Sequence, residues 1–207
     1  MKKTISFFAL TAIAGILIFS GCKKGENDPF FSLKTRTARL AQTWELSSED
    51  YTVTQEGTDL FGSDYTITTV YSYDGTSETQ KTTSTSGNSS TTSTTTKSLS
   101  KEITFDKDGT YEINGVYDGD AFSEKGNWMW VNGNKDQEIK NKEAIVLTTT
   151  SSSNSDNTYS GKTNAPNNIL VFDKLSSKEL VILYDYTEQD SDGTLTSKTG
   201  TITFTKK

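Results

Sequence analysis

Apolar and polar residues alternate with a period of two along most of this chain after Thr43. Successive side chains of a β-strand point to opposite faces, so this pattern predicts strands that are buried on one face only. The clearest alternating runs are Tyr65–Tyr73, Ile103–Phe105, Tyr111–Ile113, Trp128–Trp130, Leu180–Tyr186 and Ile202–Phe204.

Short turn signals rich in Asp, Gly and Ser separate these runs. They are Asp106–Gly109, Asp118–Asp120, Leu175–Lys178 and Asp190–Gly193. Short connections join antiparallel neighbours, so we expect about nine strands in a meander. The predicted fold is all-β: an antiparallel up-and-down β-barrel, which closes on itself and leaves no sheet edge. A two-sheet β-sandwich is the alternative.

In a meander, connections alternate between the two ends of the barrel. With nine strands, the turns at Asp108 and Ser177 share one end with the loop around Gly57. The connections near Ser86 and Asp192 share the other end, where we also expect the N-terminal helix.

Two segments interrupt the alternation. Residues 82–98 contain 14 Ser or Thr among 17 residues, and residues 148–163 are rich in Ser, Thr and Asn. Neither segment has apolar residues to bury, so we expect long loops, or strand extensions that project past the barrel.

A short amphipathic helix is predicted before the first strand. Asp28 and Pro29 fit an N-cap and a first helical residue. Five apolar residues follow at roughly helical spacing, and they are Phe30, Leu33, Leu40, Ala41 and Trp44.

The N-terminus, Met1–Lys24, has the order of an export signal. Lys2 and Lys3 precede an apolar run from Ile5 to Phe19, which is shorter than most membrane-spanning helices. Ser20, Gly21 and Cys22 resemble the end of a bacterial lipobox, which implies cleavage before Cys22 and acylation of that cysteine. We therefore predict a signal peptide at 1–21, a lipid-anchored tether at 22–28 and one barrel domain at 29–207.

The charge, cysteine and histidine content of the chain limits the partners and cofactors that it can bind. Loss of residues 1–21 removes two lysines and leaves 19 basic against 27 acidic side chains, a balance that repels phosphate backbones and argues against nucleic acid. Cys22 is the single cysteine and histidine is absent, so the sequence offers no disulfide and lacks the commonest general base and transition-metal ligand.

Several segments together resemble the bacterial lipocalin-like lipoproteins. They are Ala41–Leu46, Ile103–Phe105, Asp108–Tyr111, Gly126–Trp128, Leu175–Leu183 and Thr201–Phe204. The resemblance spans most of the chain after the tether. It implies an up-and-down barrel whose interior can hold a small apolar ligand.

No catalytic motif, cofactor or metal site is predicted, and we do not expect an enzyme. Ser98–Lys101 matches S-x-x-K, but the segment leads into a strand, where residues three apart face opposite sides. Asp106 and Asp190 each begin a D-x-D-G-T run that resembles half of a calcium loop. Asp and Gly are equally what a short hairpin turn requires, and we favour that interpretation.

The functional expectation is a lipoprotein of the bacterial envelope that is anchored to the outer membrane, on either its periplasmic face or its outer face. It binds a small apolar ligand, or it is an interaction or adhesion module for a protein or polysaccharide with a filled core. The two alternatives differ in the role of the aromatic side chains, which would line a pocket in a ligand-binding barrel and fill the core of an interaction module. These side chains are Tyr65, Tyr71, Tyr73, Trp128, Trp130, Tyr184 and Tyr186.

Replacement of Cys22 by Ser should prevent acylation, because the thiol is the predicted attachment point. In a bacterial host, the wild-type chain should incorporate a labelled fatty acid and sediment with membranes, and the variant should do neither. A labelled, membrane-bound Cys22→Ser protein would contradict the prediction.

Overall fold

The computed structural model describes residues 34–59, 62–131, 143–154, 158–160 and 169–207, which contain one helix and eleven strands. The elements are α1 (Arg36–Leu40), β1 (Thr43–Thr58), β2 (Asp64–Tyr73), β3 (Ser77–Ser86), β4 (Ser89–Phe105), β5 (Thr110–Tyr117), β6 (Asp120–Trp130), β7 (Glu143–Ser153), β8 (Thr158–Ser160), β9 (Ile169–Leu175), β10 (Glu179–Gln189) and β11 (Leu195–Lys206).

The strands form a closed antiparallel barrel. Strands β1 to β6 pair in sequence order, β6 pairs with β7, and the order continues through β9, β10 and β11 back to β1. Among the described residues, strand β8 pairs only with Ser151–Ser153 of β7, so ten strands make the barrel. The predicted all-β up-and-down barrel is confirmed in preference to the sandwich, and its architecture is consistent with a lipocalin-like fold.

The barrel has a narrow end and a wide end. At the narrow end, Thr43–Glu45 of β1 pairs directly with Glu102–Thr104 of β4, so eight strands complete the ring. Farther along, Asp50–Thr58 pairs with β2 instead, and the β2–β3 hairpin separates β1 from β4. The turn of this hairpin is attached to β4, because Leu99 N–H donates to the Thr76 carbonyl at 3.0 Å.

The Ser/Thr-rich residues 82–98 form strand extensions, the second of the two expected arrangements. They belong to β3 and β4, which pair continuously around the Gly87–Asn88 turn. Threonine hydroxyls form cross-strand hydrogen bonds, for example Thr83 to Thr92 at 3.1 Å. Because threonine is β-branched, it favours a pleated strand without apolar burial. Part of the second polar segment, Thr148–Ser153, likewise lies in β7.

The predicted placement of the connections was wrong for Gly57 and for the helix. Glu56 pairs with Leu195, so Gly57 lies at the same end as the Asp192 turn. The helix lies at the opposite end, where Gln42 Nε2 donates to the Ser177 carbonyl at 3.4 Å. The error arises from β3, a strand that the sequence pattern did not reveal. One additional strand reverses the end of the barrel at which every earlier connection lies.

Helix α1 covers the narrow end of the barrel. The described helix begins after Thr35, whose Oγ1 accepts a hydrogen bond from Ala38 N–H at 3.1 Å, and residues 29–33 of the predicted helix lie outside the described ranges. Trp44 was wrongly predicted to continue the helical stripe, because it lies in β1. Its indole N–H donates to the Leu40 carbonyl at 2.9 Å and ties the helix to the first strand.

A packed apolar core fills the narrow end beneath the helix. The largest side chains with less than 2% exposure are Trp44, Phe105, Phe172, Phe204, Leu40, Ile145, Leu175 and Leu180. They come from the helix and from six strands, so burial of this core holds the ring of strands together.

The contribution of this core is testable at two leucines. Leu180→Ala should lower the free energy of unfolding by about 2–5 kcal/mol, because it leaves a cavity among fully buried side chains. Leu195→Ala is the matched control: this leucine is 39% exposed, and its loss should change stability by about 0.5 kcal/mol or less. Urea unfolding followed by tryptophan fluorescence measures both, and equal losses would contradict the placement of the core.

Candidate functional site

Beyond the apolar core, the inward face of the barrel is polar and charged. We call this region the polar layer, and its ionisable members are Glu49, Glu78, Lys101, Glu124 and Lys198, accompanied by Tyr51, Tyr71, Tyr111, Tyr117 and Tyr184. Glu49 and Glu78 are only 5% and 7% exposed. The polar layer therefore places charges where the fold would ordinarily bury apolar side chains.

Strand alternation explains why these charges point inward. Lys101 lies two residues before Ile103, and Lys198 lies four residues before Ile202, so each shares a face with a buried core residue. Glu124 likewise shares its face with Trp128. On these three strands, the inward row of side chains continues from the apolar core into the polar layer.

Glu49 and Glu78 form a buried carboxyl pair. Burial raises the pKa of Glu49 to about 7, and a hydrogen bond to Glu78 adds to the effect. Gln80 Nε2 donates to Glu78 Oε1, and also to the Tyr117 hydroxyl at 3.0 Å. Glu49 Oε2 is buried and has no hydrogen-bond partner among the described residues. The pair therefore retains one unused oxygen inside the barrel.

Lys198 lies against two tyrosine rings on the wall of the polar layer. Its Nζ is 4.3 Å from the centroid of the Tyr51 ring and 3.6 Å from that of Tyr184. Tyr51 also stacks on Tyr71, with ring centroids 4.5 Å apart. Gly200 makes room for this arrangement, because a Cβ there would lie 2.7 Å from Tyr51 Cβ. Burial and the charge of Lys101 lower the pKa of Lys198.

A cleft of about 290 Å³ adjoins the polar layer between β4 and β7. It is lined by Lys101, Ile113, Phe122, Ser123, Glu124, Ser152, Ser153 and Asn154. The Glu124 carboxylate accepts hydrogen bonds from the Tyr111 hydroxyl and from Thr149 Oγ1, the latter at 2.9 Å. Burial lowers the pKa of Lys101. The cleft thus combines one ammonium group and one carboxylate with hydroxyl and apolar surface.

The predicted aromatic residues do not all lie in these two regions, since Tyr186 is 43% exposed and the Tyr65 hydroxyl lies 3.4 Å from Thr194 Oγ1 at the wide end. Trp128 and Trp130 share a face as predicted, with ring centroids 5.6 Å apart, and belong to the packed narrow end. The Trp130 ring also carries the Arg36 guanidinium at 4.0 Å. Tyr71 and Tyr184 instead reach the polar layer. Core filling therefore occurs at the narrow end, and Tyr71 and Tyr184 border the polar layer, but none of the seven predicted aromatic residues lines the cleft.

The aspartates at the hairpin tips stabilise their own turns. Asp108 Oδ1 accepts hydrogen bonds from Thr110 N–H at 3.0 Å and from Thr110 Oγ1 at 2.7 Å. Asp192 Oδ1 accepts the corresponding bond from Thr194 N–H at 3.0 Å. These contacts lower the pKa of both aspartates. Within the described ranges, no three His, Cys, Asp or Glu side chains are grouped to hold a metal ion.

Cys22, the predicted lipid attachment residue, lies outside the described residues. Sequence reasoning did not identify the five ionisable members of the polar layer as a group. The available signal was their position in the alternation, such as Lys101 in the same row as Ile103 and Phe105. A charged residue in phase with an apolar row predicts an interior charge.

In the part of the chain that the structure describes, no helix has the length and apolar character needed to span a membrane. No protein-family model, curated protein or solved structure matches the chain.

The stability of the fold should depend on pH through Glu49. Its ordinary pKa is 4.5 and its folded value is about 7, so the folded protein keeps a proton that the unfolded chain has released. The stabilisation is complete below pH 4.5 and is lost as pH rises to about 7, by up to about 1.4 kcal/mol per pH unit.

Glu49→Gln should therefore remove most of the difference in unfolding free energy between pH 5 and pH 8. Glu56→Gln, an exposed change on the same strand, is the control and should retain the wild-type difference. Urea titrations at the two pH values measure this, and parallel behaviour of all three proteins would contradict the burial of an ionisable Glu49.

Proposed function

We propose that this protein is a lipid-anchored lipoprotein of the bacterial envelope that binds a small molecule inside its barrel, at the polar layer and the adjoining cleft. The export signal and Cys22 support anchoring, since acyl chains hold a domain at a membrane surface without spanning it. The outer membrane is the proposed location. The acidic composition argues against nucleic acid as a partner.

The observation that supports ligand binding is the set of charged side chains inside the barrel. Replacing buried ionic groups with apolar residues of similar size is often neutral or stabilising, so such charges are a poor means of stabilising a core. Groups with perturbed pKa values beside a cleft are instead frequent at functional sites. The pKa values of Glu49, Lys101 and Lys198 are all perturbed, and Lys101 lines the cleft.

The lining of the cleft indicates the chemistry of the ligand. The largest buried apolar side chains pack against one another at the narrow end, so little of that surface is left for a purely apolar molecule. The cleft offers Ile113 and Phe122 together with charged groups and hydroxyls. We therefore expect a ligand with both an apolar part and a polar group, rather than a simple hydrocarbon.

Native mass spectrometry of residues 23–207, purified from a bacterial host, tests this proposal. This chain retains all eleven described strands, and a cooperative thermal transition verifies that it folds. The wild-type protein should carry a small mass that disappears after denaturing extraction. Ser152→Trp should lose the mass, because Ser152 faces the interior opposite Glu124 and the indole would fill the cleft.

Ser151→Trp is the matched control, because Ser151 is the neighbouring residue on the same strand and lies opposite Lys125. It should retain the bound mass. A folded wild-type protein without any bound mass, or a mass that Ser152→Trp retains, would overturn binding in the cleft. The first result would favour the alternative of an interaction or adhesion module.

A further inference from the structure

Lys101 is a member of the polar layer whose hydrogen-bonding capacity is unused. Its ammonium group has no hydrogen bond or ion pair with any described residue, although Glu49, Glu78 and Glu124 are close enough to influence its pKa. An ammonium group offers three donors, and Lys101 is partly exposed rather than fully buried. Lys101 lines the cleft, so a molecule in the cleft can reach these donors.

Two of the three neighbouring carboxylates already accept hydrogen bonds from other donors. Glu124 accepts from Tyr111 and Thr149, and Glu78 accepts from Gln80. These contacts hold both carboxylates in place by hydroxyl and amide groups rather than by the lysine. Glu49, the third, keeps Oε2 without a hydrogen-bond partner, but it forms no ion pair with Lys101, so Lys101 lacks a direct oxygen partner.

The rest of the cleft restricts what can supply that oxygen. Ile113 and Phe122 provide apolar surface, and Ser152 lies opposite Glu124 on the neighbouring strand. Because Glu124 also lines the cleft, a doubly charged phosphate would meet a like charge there. A single carboxylate needs only one ammonium group to balance it, and a hydrocarbon part attached to it can cover the apolar surface.

We infer that Lys101 binds the carboxylate of a small amphipathic acid, whose hydrocarbon part lies against Ile113 and Phe122 in the cleft. This assignment rests on the proposed function and specifies its ligand class. Lys101 forms the ion pair, Phe122 and Ile113 bury the hydrocarbon part, and Ser152 borders the site.

Binding of an anion at this place is linked to proton uptake. The pKa of Glu49 is about 7, and burial lowers the pKa of both Lys101 and Lys198. The other ionisable groups of the layer are Tyr51, Tyr71, Glu78, Tyr111, Tyr117, Glu124 and Tyr184. A second negative charge near Lys101 favours the protonated form of Glu49. Affinity for a carboxylate should consequently be higher at pH 6 than at pH 8.

Octanoate and octanamide are suitable probes, because they share a hydrocarbon chain and differ in charge. Isothermal titration of residues 23–207 should show octanoate binding about tenfold or more tightly than octanamide, as expected for a charge-assisted hydrogen bond. Octanoate affinity should fall from pH 6 to pH 8, whereas octanamide affinity should not. The probe carboxylate is ionised throughout, since such groups titrate near pH 4.

Lys101→Met should reduce octanoate affinity to that of octanamide, and Lys81→Met, a change at an exposed lysine of β3, should leave both unchanged. If Lys101→Met does not fold, the two probes on the wild-type protein still decide the matter. Equal affinity for both probes, or octanoate affinity unaffected by Lys101→Met, overturns the assignment.

The two proposals fail differently. A neutral native ligand that Ser152→Trp excludes would retain binding in the cleft and reject the carboxylate. Absence of any bound mass together with no binding of either probe would reject both.

Discussion

The direct pairing of Thr43–Glu45 with Glu102–Thr104 determines the shape of this barrel. It closes eight strands around the narrow end, where the circumference suits a solid apolar core covered by a helix. Above this pairing β1 and β4 separate, and the β2–β3 hairpin occupies the space between them. One contact thus divides the interior into a packed region and a wider polar one.

That division brings distant residues into one layer. Glu78 belongs to the inserted hairpin, whereas Glu49 and Lys101 belong to the strands that it separates. Without the insertion, β1 and β4 would continue as neighbours and Glu78 would not join the layer. The carboxyl pair therefore forms because the inserted hairpin widens this end of the barrel. The charged residues, which disfavour close packing, lie where the ring of strands is widest.

Much of the fold was predictable from the alternation of apolar and polar residues, because a half-buried strand imposes a period of two. The prediction failed at β3, which is held by strand pairing and the β preference of threonine and has no apolar residue to show a period. The position of Trp44 was also missed, since spacing alone does not distinguish the last turn of a helix from the start of a strand. The polar layer was predictable only in part. The inward position of Lys101 and Lys198 follows from strand alternation, but the partners of Glu49 depend on the hairpin that the sequence pattern did not reveal.

The β3–β4 hairpin has a further consequence for how this chain can diverge. Serine and threonine occupy most positions of both strands between the Glu78–Lys97 pair and the turn. The backbone hydrogen bonds and hydroxyl pairs there do not depend on which of the two residues is present. Deleting or inserting residues in matched pairs next to the Gly87–Asn88 turn preserves the facing of every remaining side chain. Hairpin length is therefore free to vary in evolution while the core and the interior charges stay in register.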